Sequence, residues 1–109
     1  MANDGLIKKA SALIGVAAAV LVVVEFIGVD ASPGPWIAYV TGAYGILAAI
    51  YCIMRFMLGK WAGAASGLIL AAGTASFFVL TEPTAMNTAG FAAVIIGAAA
   101  TGITALTGK

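Results

Sequence analysis

Nine charged side chains stand among 109 residues, and their placement bounds the chemistry this chain can perform. Glu25 is the acid nearest the interior of an apolar run. A carboxylate inside a membrane marks proton or cation routes, and a small proton-coupled antiporter carries one deep in its first helix. Its place only four residues before Val29 puts it toward an interface instead. Thr41, Tyr44, Tyr51 and Arg55 recur at helical spacing, with Ala48 between them, as one semi-polar face ending in a cation. Such a face lines a pore or lumen, or finds hydrogen-bond partners in a bundle interior. Arg55 and Lys60 bracket the shortest turn of the chain. Two cations there can hold lipid phosphates, neutralise an anionic polymer, or only orient the chain in a membrane. His is absent and Cys52 is the single cysteine, so no imidazole metal site, triad or CxxC pair is expected. Cys52 reads as a small buried hydrophobe. General acid–base chemistry would rest on edge carboxylates alone, so no catalytic residues and no enzyme are expected.

The elements that must position these residues follow from composition. The chain is 63% hydrophobic and 8% charged, with a net charge of +1 and a mean hydropathy of +1.14. A soluble domain is about half apolar and about a quarter charged. The bilayer is therefore the natural solvent, and the cell membrane the expected location. Four apolar segments, at about 6–29, 36–58, 61–80 and 88–106, approach or exceed the length that crosses the hydrocarbon. They are continuous, without period-2 alternation, and predict helices rather than strands. The fold class is all-α, a single unit with no hydrophilic stretch long enough for a second domain.

Breaks fall at Asp30 to Pro35, at Gly59-Lys60, and at Glu82 to Asn87. Ser32 is the expected N-cap of the second helix and Asn87 of the fourth. If every segment spans, one face collects all five basic residues plus Asp4, and the other collects Glu25, Asp30 and Glu82. The Lys/Arg bias of short loops then makes both termini and the middle turn cytoplasmic. Trp36 and Trp61, each at a segment start, suit the interfacial aromatic belt. Lys8-Lys9, the apolar stretch after them and the small residues before Ser32 also fit a signal peptide cleaved after Ala31. The 24-residue apolar span is long for a signal, so retention is expected.

Gly59, Gly63 and Gly67 make two consecutive GxxxG steps, and Ala71 and Ala75 continue the four-residue spacing. On a helix this is a smooth stripe along which another backbone can approach closely. It serves either a many-copy helical assembly or the intrachain packing of a small bundle.

The stretch 44–78, with the body GILAAIYCIMRFMLGKWAGAASGLILAAGTASFF, covers about a third of the chain. It resembles the two-helix core of type IV secretion (conjugative) pilins: an Ala/Gly-rich helix, a short basic turn, and a second helix with regularly spaced small residues. The resemblance implies a helical filament with a hollow lumen, drawn from the membrane and carrying bound phospholipid. By position it implies that Arg55 and Lys60 face that lumen. Expected partners are further copies of the chain, membrane phospholipid, secretion-machinery proteins, and DNA as transported cargo. Bacterial members keep two main hydrophobic helices, and the four segments here look more like archaeal members that serve DNA import. The reading from residues alone leaves a small channel, holin or transporter subunit as the alternative, with Thr41 to Arg55 or Glu25 lining its pathway. An accessory subunit filling space in a large membrane enzyme is a third class.

Overall fold

Ala-rich apolar runs satisfy their backbone locally, and each of the four becomes a helix. In a computed structural model α1 spans Ala2–Ala31, α2 Trp36–Met57, α3 Trp61–Val79 and α4 Ala85–Thr107. The structure describes residues 2–31, 36–79 and 85–108; Ser32 and Glu82 lie outside them. At about 1.5 Å per residue, α1 alone runs about 45 Å, which matches the 46 Å long axis of the molecule. Two stretches, Gly5–Gly28 and Tyr39–Met57, are long and apolar enough to cross a membrane.

Helix α4 begins at Ala85, two residues before the expected cap, so Asn87 sits inside the first turn. Ala85 and Met86 are strong helix formers, and the first-turn N–H groups lack intrahelical partners in any case, so a polar residue is tolerated there. The α2–α3 turn has a definite geometry. Gly59 adopts φ +74°; its N–H donates to the Phe56 carbonyl (3.0 Å), and that of Lys60 to the Arg55 carbonyl (2.9 Å). This is a Schellman end, in which the left-handed residue lets the last carbonyls of α2 be satisfied. Lys60 then accepts from the Ala64 N–H to start α3. Among the described residues nothing lies within 4 Å of a Cβ added at Gly59, so Gly59→Ala carries only the left-handed penalty, about 1–2 kcal/mol. A denaturant titration in detergent should read that loss, with Gly59→Asn falling between the two.

Each helix packs on its neighbours in chain order, and α4 returns to α1, closing an up-down-up-down bundle. Ala18, Val22, Tyr44, Ala48, Leu70, Val94 and Ala98 form the core. Around them the usual arrangement is inverted. Glu25, Thr41, Arg55, Ser66, Thr74, Thr101 and Thr104 are buried, while Leu13, Ile27, Phe56, Leu68, Ile96 and Ile103 are exposed. All four helices therefore present apolar side chains outward. Of the two tryptophans, Trp61 is exposed, and Trp36 packs beside Gly28 of α1.

Small residues permit the close crossings. A Cβ on Gly67 would lie 2.8 Å from the Ala48 carbonyl oxygen on α2, and one on Gly97 would lie 2.5 Å from the Leu70 nitrogen on α3. These distances are too short for any side chain, so the seams require glycine.

Candidate functional site

Two polar clusters occupy opposite ends of the bundle interior, both built on the buried face of α2. At one end Glu25 of α1 is 5% exposed. One of its carboxyl oxygens accepts from the Thr41 hydroxyl and the other from the Tyr44 hydroxyl at 2.8 Å. Thr41 and Tyr44 are three apart on α2, so one helix face delivers both donors to one carboxyl group. With two hydrogen bonds, the carboxyl can reside in the interior that its charge would otherwise disfavour.

At the other end Arg55 turns inward from the last turn of α2 and is 0% exposed. Its guanidinium carbon lies 5.1 Å from the centroid of the Tyr51 ring. Such a cation–π contact contributes about 2 kcal/mol when desolvated. Among the described residues, none of its three nitrogens has a hydrogen-bond partner. Tyr51 is fixed by its own hydroxyl, 2.7 Å from Thr104 Oγ1 on α4. The single Thr104 proton goes to the carbonyls one turn back, at Ala100 or Thr101, so Tyr51 is the donor in that pair. From Tyr44 to Arg55 is eleven residues of one helix, about 16 Å, so the buried acid and the buried cation do not meet.

A cavity of about 450 Å³ opens at the Arg55 end, lined also by Lys8, Lys9, Leu106, Thr107 and Gly108. An apolar groove of about 430 Å³ runs between α1 and α4, past Val22, Phe26, Ile95 and Ile103 to Leu106. Leu106 borders both.

The structure brings together residues that the sequence presents separately. Thr41, Tyr44, Tyr51 and Arg55 do share one face, and it lies inside the bundle rather than on its surface. Lys60 is half-buried at the turn and does not line the Arg55 cavity. Of the small-residue stripe, Gly63 and Gly67 are buried, Ala71 is half-buried, and Gly59 and Ala75 are exposed. Gly67 is used against α2 of the same chain. Cys52 is half-buried, not fully enclosed, because it stands beside rather than on the buried face of α2. Among the described residues no group of three His, Cys, Asp or Glu could hold a metal.

Comparison with protein-family models, with curated proteins and with solved structures finds no match. The residues themselves must carry the functional argument. Sequence reasoning missed the part played by α4. Gly90, Val94, Gly97, Thr101 and Thr104 are all buried on it, and their three- and four-residue spacing was the available signal. It also missed that Lys8 and Lys9 share a cavity with Arg55.

Proposed function

We propose that this chain is a structural subunit of a lipid-containing, conjugative-type pilus that forms a hollow conduit for DNA transfer. The observation that carries the reading is the α2–α3 hairpin. Two apolar helices are closed by a basic turn, cross closely through Gly67, and leave apolar faces outward. Exposed apolar surface on every helix needs lipid or further copies of the chain to cover it. Both are available to a subunit stored in the cell membrane and then drawn into an extracellular filament with phospholipid. Lys60, half-buried at the turn, is the cation left to face a lumen, and Arg55 serves from within. DNA passes as cargo, so no sequence-specific contact is required of the subunit.

Negative-stain microscopy of sheared cell-surface material is the direct test. Hollow filaments that contain this chain by mass spectrometry are the expected result. Recovery only as a detergent-solubilised membrane oligomer would overturn the reading. Before assembly, the two sides of the membrane should differ in charge. In a Cys52→Ala background, Lys60→Cys and Glu82→Cys should react with an impermeant thiol reagent from opposite sides. Labelling from one side would remove the four-span arrangement on which storage in the membrane rests.

A second reading has its own observation. Glu25, held by Thr41 and Tyr44 inside the bundle, is the kind of intramembrane carboxyl that small cation-coupled transporters use. Under that reading the chain stays in the cell membrane and Glu25 binds the transported or coupling cation.

A further inference from the structure

We propose that Lys8, Lys9 and Arg55 form a binding site for a phosphate-type oxyanion, at the end of the bundle where α1 begins and α2 and α4 finish. The argument starts from Arg55. A guanidinium carries five N–H donors, and here it is 0% exposed with all three nitrogens unpartnered among the described residues. Tyr51 lends only its ring face. Burying a cation without hydrogen bonds is unfavourable, and buried polar groups almost always find partners. The same side chain lines a cavity of about 450 Å³ whose rim carries Lys8 and Lys9, both exposed. Three cations thus border one space, and the innermost, closed over by its neighbours, has no hydrogen-bond partner among the described residues.

The chemistry of the set selects the ligand. Arg offers a planar fork that matches two oxygens of a phosphate, and Lys offers mobile point charges that follow the remaining ones. A tetrahedral oxyanion of one to two negative charges suits this better than a single carboxylate. The C-terminal end of α4 also borders the cavity, at Thr107 and Gly108. Its dipole favours cations there, but its carbonyls take no hydrogen bond from Arg55, so they do not replace the anion. Leu106 lines both this cavity and the apolar groove between α1 and α4. A phosphate carrying an acyl chain could place its head at Arg55 and lay its chain over Leu106 toward the groove. Free phosphate would use the head site alone. The site needs only the folded chain, so it stands whether or not filaments form.

The test uses the full chain in non-ionic detergent, stripped of lipid. It is titrated with inorganic phosphate and, separately, with a short-chain phosphatidylglycerol, against sodium chloride at matched ionic strength. Phosphorus NMR line widths and melting temperature are read together. Saturable binding of either probe is expected. Binding of phosphate identifies the free anion as sufficient; binding of the lipid alone identifies the headgroup source. Arg55→Gln and the Lys8→Gln/Lys9→Gln pair should each weaken binding by about tenfold or more. Lys60→Gln, at the same end but outside the cavity, should leave it unchanged. Because the lysines are exposed, their double variant keeps the test alive if Arg55→Gln does not fold. No saturable binding of either probe, or equal losses from Lys60→Gln and the lysine pair, would overturn the site.

Discussion

Gly97→Ala should lower the melting temperature of the detergent-purified chain more than any other single methyl addition in α4. The added Cβ would meet Leu70 of α3 at 2.5 Å from its nitrogen, 2.7 Å from its Cα and 2.9 Å from its Cβ. The obstacle is backbone, so no rotamer change relieves it and the α3–α4 seam must open. Overpacking of this kind costs about 1–3 kcal/mol and sometimes more. Gly67→Ala should do the same between α2 and α3, against the Ala48 oxygen at 2.8 Å and the Cys52 nitrogen at 3.0 Å. Gly42→Ala is the control. Among the described residues it has nothing within 4 Å of the new methyl, and better helix propensity should stabilise it by up to about 1 kcal/mol. If all three variants melt together, the helices are not as closely crossed as described.

Under the proposed pilus reading, Gly63→Leu and Gly67→Leu should abolish assembly while membrane insertion survives, since Leu is favourable in an apolar helix. Loss at Gly67 nevertheless arises within the chain, where the residue already touches α2. A contact between copies is better probed at Ala75, exposed on the same stripe. Ala75→Leu should reduce filament yield at unchanged melting temperature, if that end of the stripe meets a second subunit.

The helices were legible because continuous apolar runs admit one solution to the backbone problem, and all three interruptions between them carry Pro or Gly. The buried α2 face was equally legible, since Thr41, Tyr44, Tyr51 and Arg55 follow the helical period. What they touch was not. Glu25 lies 16 residues before Thr41 in the chain, and only the α1–α2 packing angle brings the carboxyl between the two hydroxyls. Lys8 and Arg55 were grouped by side of the membrane, yet a shared side does not fix whether a long side chain turns outward or in. Helix α4 was hidden by its own blandness. Its threonines look like ordinary tolerated polar residues until Thr104 is found holding Tyr51.

The Glu25 cluster separates a structural role from a chemical one, because the two predict different responses to the same set of substitutions. Glu25→Ala should destabilise the bundle by about 2 kcal/mol or more, since it removes the acceptor of two buried hydroxyls and leaves both without it. Replacing the whole cluster is another matter. Glu25→Leu, Thr41→Val and Tyr44→Phe together withdraw donors and acceptor at once, in side chains of similar shape. Such a complete exchange can be nearly neutral or stabilising, because the carboxyl and the two hydroxyls that bind it are withdrawn together. The triple variant should therefore recover most of the melting temperature lost by Glu25→Ala. Its function then decides between the readings. A filament subunit that uses the cluster only to fix α1 against α2 should still assemble and transfer DNA at near wild-type frequency. A transporter that binds a cation at Glu25 should fold equally well and lose cation-coupled uptake in proteoliposomes. Should the triple variant remain as unstable as Glu25→Ala, the cluster has partners beyond these three side chains, and Thr41, which has an interaction besides the one with Glu25, is where they would be sought.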